Sequence, residues 1–335
     1  MFKKLTKPLL QVTALAAALG CSAMTLAADK VTFQLDWLPG GDKAPVYVGI
    51  QQGFFAAEDL EVKIASGRGS TDAVTKMATG QSDVGIADIG ALMAAKARDG
   101  VPVSAVLSYF SQAPHAFFTL EGSSIKTLKD VAGKRIATSP FTSSNAFLPL
   151  VLKENGMAED SVTLVKSDPG ALSPMLMTGN IEGIIAWVTN VALFEKQAAE
   201  AGKTLRVIPW TEGGLDLYSS SLVAADKFLS ERPDVAKRFV KAYAKAVRFT
   251  YAHPDKAGAD IHAMVPEVDA AVASAQIRSI NGLVYNEVTS NDGFGALTPE
   301  RMALTWKWVS QANDIAADAM NPEIAVNRDF MPEQN

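Results

Sequence analysis

The sequence predicts a two-lobed α/β protein in which each lobe is a mostly parallel sheet with covering helices. Three observations carry this. Short apolar runs alternate with helical patterns, the β-α-β rhythm is played through twice, and the last third turns mostly helical.

The first unit opens with Val31–Leu35, an apolar run that reads as a strand and ends in Asp36-Trp37-Leu38-Pro39-Gly40-Gly41. A helix is expected from Ala44 to Gln52, stopped by Gly53. Leu60–Ile64 alternates in polarity and reads as the second strand. Gly67-Arg68-Gly69-Ser70 is a loop, with Ser70 or Thr71 expected to cap a helix over Asp72–Ala78. Val84–Ala87 is a third strand, Asp88–Ala97 a helix and Val103–Tyr109 a fourth strand.

The second unit starts near Phe117. A short helix is expected over Ser124–Val131, then a strand over Lys134–Thr138, a polar loop over Ser139–Asn145 and a helix to Asn155. Strands at Val162–Val165, Gly183–Trp187 and Leu205–Pro209 alternate with helices at Leu172–Thr178 and Val191–Ala201. A return strand is expected over Ser219–Ala224, after which the pattern is helical from Asp226 to about Ala319, the longest amphipathic stretch being Asp234–Tyr251. The expected division is residues 29–115 for the first lobe, 116–220 for the second, 221–319 for the return to the first lobe, and 320–335 for a partly ordered tail. In open parallel sheets ligands sit beyond the carboxyl ends of the strands, so two facing sheets would bring their post-strand loops to one cleft.

Composition fits a globular chain: of 335 residues, 48% are hydrophobic and 20% charged. The net charge of -5 and the scattered lysines and arginines count against nucleic acid as a partner. Lys3, Lys4 and Lys7 precede an apolar stretch from Leu9 to Leu19 and small residues ending at Ala27-Ala28. This is the anatomy of a secretory signal peptide spanning residues 1–28. Cys21 is the sole cysteine, so an intrachain disulfide is impossible. Ala18-Leu19-Gly20-Cys21 partly matches a lipid-attachment site, but Ala18 stands where a larger aliphatic is usual.

The segments "VTFQLDWLPGGDKAPVYVGIQQGFFAAEDLEVKI", "TKMATGQSDVGIADIGALMAAKARDGVPVSAV" and "IKTLKDVAGKRIATSP" resemble periplasmic binding proteins of the NMT1/THI5-like and sulfonate/nitrate/taurine-binding (SsuA-like) group. The likeness covers nearly the whole chain after the leader. It implies a type II periplasmic-binding-protein fold with a two-strand hinge. It also implies a periplasmic, monomeric protein that delivers a small molecule to the membrane permease of an ABC importer.

In the pyrimidine-precursor binders of this group an Asp-Trp after the first strand contacts ligand, which makes Asp36 and Trp37 the leading candidates. Where many of those binders show a histidine a few residues on, this chain has Lys43-Ala44, a departure that counts against a pyrimidine. Arg68, Gly69 and Ser70 precede a helix N-terminus, where backbone N–H groups suit an anion; a solvated turn arginine is the plainer alternative. Ser139, Thr142, Ser143 and Ser144 form a hydroxyl-rich strand-to-helix turn, one of which is expected to cap the helix and another to face ligand. Trp187 is a candidate opposing aromatic wall for a planar ligand, and Asn190 offers both donor and acceptor. Asp88, and Tyr218 near the return crossing, complete the set. The expected ligand is a small planar or anionic molecule: a pyrimidine precursor, an aromatic carboxylate or a sulfonate.

No HExxH, GxSxG, Walker loop or GxGxxG follows a strand, and His115, His253 and His262 show no metal-ligand spacing. The expectation is therefore no cofactor, no metal and no enzymatic activity. The THI5-like group does include pyrimidine synthases; their active site needs histidine and cysteine, which the first-strand loop lacks. A ligand-sensing subunit that docks a membrane receptor would share the same fold.

Overall fold

The computed structural model describes residues 27–331, so the proposed signal peptide and Cys21 lie outside the described residues. Among the described residues ten strands run in chain order: β1 Asp29–Gln34, β2 Leu60–Ala65, β3 Val84–Asp88, β4 Val103–Ser108, β5 His115–Leu120, β6 Arg135–Thr138, β7 Thr163–Lys166, β8 Gly183–Trp187, β9 Leu205–Pro209 and β10 Ser220–Ala225. The α-helices among the described residues are α1 Ala44–Gln51, α2 Ser70–Ala78, α3 Ile89–Asp99, α4 Ser144–Glu154, α5 Pro169–Met177, α6 Val191–Glu200, α7 Asp226–Glu231, α8 Pro233–Ala252, α9 Pro254–Met264, α10 Ala270–Ser279, α11 Asn281–Val284, α12 Glu287–Asp292 and α13 Pro299–Ala312.

The strands form two five-stranded sheets, ordered β2-β1-β3-β10-β4 and β7-β6-β8-β5-β9. Each is parallel through its βαβ units: Val31 pairs with Val62 in the first, and Ile136 with Leu164 in the second. The antiparallel members belong to the crossings. β5 carries the chain into the second sheet and pairs antiparallel with β8 and β9. β10 brings it back and lies antiparallel between β3 and β4. This is a type II periplasmic-binding-protein fold.

Burial follows the sequence pattern closely. β3, β4 and β10 are buried along their whole length, as strands with covered faces must be. α8 lays an apolar stripe on the first lobe, where Phe239 stacks on Phe55 at 4.9 Å and on Phe33 at 6.0 Å. One apolar cluster runs through both lobes, joining Val103 and Val223 of the first sheet to Ile136 and Ile185 of the second by way of Trp210 and Leu217 in the crossing.

Three local expectations are corrected. The helix expected over Ser124–Val131 is a single 3₁₀ turn, Leu128–Val131. Asp130 accepts from the Lys126 and Thr127 N–H groups and so starts the turn only at Thr127, and Gly133 at φ 73° follows it. α2 begins at Ser70, with Gly69 in the capping position, so neither Ser70 nor Thr71 is its cap. The expected tail is packed as far as Met331: Val326 bridges to Ala105, the Asn327 N–H donates to the Ala105 carbonyl at 2.9 Å, and Phe330 is buried. β4 is an edge strand, and this segment covers its free side.

Phe239→Ala should lower the unfolding free energy by about 3–5 kcal/mol, because a buried aromatic at the junction of α8 with the first sheet is removed. Urea titration followed by circular dichroism measures this; a loss under about 1 kcal/mol would mean α8 contributes little to the first lobe.

Candidate functional site

The post-strand loops of the two sheets meet at a narrow cavity. Its walls include Asp36, Trp37, Asp42, Gly69 and Ser70 from the first lobe and Thr142, Ala186, Trp187, Thr189 and Asn190 from the second. The atom-free space between them, open mouth included, is about 310 Å³, of which only about 20 Å³ admits the centre of a water-sized sphere, so the two walls stand close together. The two tryptophans cross over. Trp37 packs against the apolar cluster of the second lobe, and Trp187 joins the cluster of the first, with Phe110 6.4 Å away.

The floor on the first-lobe side is ionic. Lys43 is almost fully buried and its ammonium lies 2.5 Å from Asp36 and 2.9 Å from Asp42. Burial alone would drive the amine toward neutrality; the two carboxylates reverse this and hold Lys43 above its ordinary range. The same ammonium sits over the Trp187 ring at 5.5 Å. Thus the residue that replaces the expected histidine is a buried cation bound to both acids. Lys43 and Asp42 were not foreseen as site residues. The signal available was an Asp-Lys pair directly after Gly40-Gly41, entering a helix too apolar to leave it in solvent.

A chain of hydrogen bonds leads from this floor to the hinge. Ser70 Oγ donates to Asp36 Oδ2 at 3.2 Å and accepts from the Asp88 N–H at 3.0 Å. The Asp88 carboxylate caps α3 by accepting from the Gly90 N–H, and it accepts from Ser219 at 2.8 Å beside the return strand. Across the cleft it accepts from Ser143 at 3.1 Å and faces His115 Nε2 at 3.5 Å. His115 Nδ1 meets Ser144 Oγ at 2.8 Å, and Ser144 meets Thr142, which returns to the cavity wall. Burial pushes Asp88 up to about 6, against the hydrogen bonds it accepts, and pushes His115 down to about 3.

The structure therefore gathers Asp36, Trp37, Gly69, Ser70, Thr142, Trp187 and Asn190 at one cavity and distributes the other candidates around it. Asp88, Ser143 and Ser144 form the buried network between the lobes. The Ser143 side chain, at the α4 cap position, makes no capping bond to the helix; its hydroxyl goes to Asp88 instead. Ser139 Oγ donates to the Arg68 carbonyl at 2.8 Å. Arg68 does not point an anion-binding fork into the cleft; its half-exposed guanidinium stacks on Phe141 at 4.6 Å and lies 3.5 Å from Asp72. Tyr218 packs under Arg301, and its hydroxyl accepts from the Thr298 N–H, so it braces α13 away from the cavity.

The lobes touch on both sides of the cavity. The Thr71 N–H donates to the Phe141 carbonyl at 3.2 Å, and a Cβ on Gly69 would stand 2.1 Å from that carbonyl oxygen. On the other side Gln276 accepts from the Gly41 N–H and donates to the Thr189 carbonyl at 2.9 Å, while Lys196 pairs with Asp269 at 2.7 Å.

A family model described as "NMT1/THI5 like" matches residues 41–257. The 4-amino-5-hydroxymethyl-2-methylpyrimidine phosphate synthase of Candida albicans is 30% identical over 70% of this chain and 71% of its own. The riboflavin-binding protein RibY of Chloroflexus aurantiacus is 24% identical over 90% of this chain and 86% of its own. Among solved structures, the alkanesulfonate-binding protein SsuA of Xanthomonas axonopodis superposes with a TM-score of 0.71 at 13% identity, covering 90% of this chain and 99% of that one. The expectation of no enzymatic activity is overturned here: relatives from Candida albicans, Saccharomyces cerevisiae and Schizosaccharomyces pombe are named as a synthase. Motif searching missed this, because it tests for catalytic patterns of other folds.

Gly69→Ala should hold the lobes apart, seen as a larger radius of gyration in X-ray scattering; an unchanged radius would mean that the Gly69–Phe141 approach does not limit closure. A second expectation concerns acid. Between pH 6.5 and about 3 the unfolded chain takes up a proton that folded His115 refuses, so stability falls on acidification. Between about 6 and 3.8 folded Asp88 binds its proton before the unfolded chain does, which partly offsets that fall. Asp88→Asn removes the offset, so its melting temperature should drop more steeply than that of the unsubstituted protein from pH 6 to pH 4 in calorimetry. Parallel profiles would contradict the assignment.

Proposed function

The chain belongs to the NMT1/THI5-like family, and we propose that it is an extracytoplasmic solute-binding protein that encloses a small planar molecule between its lobes and delivers it to an ABC importer. The observation that carries this reading is the cavity itself: two carboxylates and Trp37 of one lobe brought against Trp187 of the other, between the ends of the two sheets. The fold shared with periplasmic binding proteins such as SsuA supports it. The mechanism is hinge closure: ligand contacts the floor of one lobe, the other lobe comes down, and the closed form is presented to the permease.

The charges select within the ligand classes. Asp36 and Asp42 set two acids against the single base Lys43, and the Arg68 guanidinium is engaged with Phe141 and Asp72. An anion would meet carboxylates without a free cation to answer them, so sulfonates and carboxylates fit poorly. A neutral or cationic heteroaromatic with amino donors fits well. The aminopyrimidine ring named in the Candida albicans relative has this chemistry, while the phosphate named with it is an anion that the two acids would oppose, so the reading is for the unphosphorylated pyrimidine despite the missing histidine. That relative also supports a second reading, in which the cleft holds a pyrimidine in order to transform it.

A thermal-shift and calorimetric panel decides. 4-Amino-5-hydroxymethyl-2-methylpyrimidine should raise the melting temperature, reaching about 2.7 kcal/mol of stabilisation at a hundredfold excess over Kd, and benzenesulfonate should not. The reverse order would overturn the charge argument. Mass spectrometry of the released ligand separates capture, which returns it unchanged, from turnover.

A further inference from the structure

Trp187 was expected to be a flat wall for a planar ligand, but protein atoms surround much of its ring. The Lys43 ammonium lies over the ring, His115 packs edge-on with centroids 5.7 Å apart, and Phe110 tilts against it at 6.4 Å. What has no answer is the indole N–H. Nε1 is buried and has no hydrogen-bond partner, although the residue lines the cavity and is only 9% exposed. The other polar side chains of the wall differ. Ser70 already donates to Asp36, and the Asn190 amide donates to the Trp187 carbonyl and to Thr189. Among the described residues lining the cavity, Trp187 carries the one buried side-chain nitrogen with no hydrogen-bond partner.

We infer that Trp187 is a specificity-determining donor: its N–H is directed to a hydrogen-bond acceptor on the ligand, a ring nitrogen or a carbonyl oxygen. Asp36 and Asp42 take the ligand's donors on the other side. Lys43 is a positioning residue. Held by two carboxylates, it fixes the indole plane through its place over the ring and so fixes the direction of the N–H. The ligand class follows: a planar molecule with donors on one edge and an acceptor on another. An isostere with C–H in place of the acceptor would leave the buried N–H unmatched and be rejected. The inference rests on the reading that this cavity captures a small molecule.

The test uses the full exported chain, with 4-amino-5-hydroxymethyl-2-methylpyrimidine and riboflavin as probes. Trp187→Phe keeps an aromatic ring under Lys43 and deletes the N–H. It should weaken binding of the probe about tenfold or more, a loss beyond any fall in melting temperature that the smaller ring causes in the absence of probe. In the unsubstituted protein the indole N–H resonance missing from the Trp187→Phe spectrum should move downfield on titration. Assigning that resonance from the unsubstituted protein's own through-bond correlations keeps the readout even if the variant folds poorly. Equal affinity of the two proteins, or an indole resonance that stays in place while the probe binds, overturns the donor role and leaves capture intact. Failure of the unsubstituted protein to bind either probe overturns the donor role together with the ligand class on which it rests.

Discussion

A lysine ammonium held between two carboxylates at the bottom of a cleft is the constraint on which the site depends. Removing three charges from water is costly, and only close mutual pairing makes it tolerable. Lys43, Asp36 and Asp42 satisfy this within 2.9 Å, so the loop after β1 and the entry to α1 are locked in one shape. From that locked loop the rest follows. Trp37 is turned toward the second lobe, Ser70 is held against Asp36, and Trp187 of the second lobe lies against the ammonium.

The same logic of buried polar groups joins the floor to the hinge. Asp88 is fully buried, yet every contact it makes has a purpose in the architecture: Gly90 starts α3, Ser219 belongs to the returning chain, and Ser143 belongs to the opposite lobe. Because a half-satisfied buried carboxylate is expensive, parting the lobes must supply water in place of Ser143. Closure and hydration are coupled at this point. Gly69 serves closure by a different route, since only the absence of a side chain lets its backbone meet the Phe141 carbonyl.

The comparisons place one fold under several activities. A structural neighbour named as an alkanesulfonate-binding protein shares the two-sheet frame, and relatives named as a pyrimidine phosphate synthase and as a riboflavin-binding protein are similar in sequence along 70% and 90% of the chain. The frame supplies a cleft that opens and shuts; what the cleft does depends on the side chains at its walls. Here those walls are acidic at one end, with a fixed indole donor at the other.

Most of the fold was legible in the sequence because burial writes itself into periodicity. The runs at Val84–Ala87 and Gly183–Trp187 are apolar throughout since both faces of those strands are covered, and seven of the expected site residues line the cavity from the ends of β1, β2, β6 and β8. Asp36-Trp37 could be found because a strand end of that kind is where parallel sheets bind. The sequence alone could not show that Lys43 is buried, that Arg68 turns outward, that Ser143 abandons its helix for Asp88, or that the last residues as far as Met331 cover the edge of β4. Local pattern records whether a residue prefers water or the interior; it does not record which distant group will answer its charge or its hydrogen bond. Some of those partners are near in the chain, as Asp36 and Asp42 are to Lys43, but Asp88 lies 55 residues from Ser143 and Gln276 lies 235 from Gly41, and only the closing of two lobes decides such pairs.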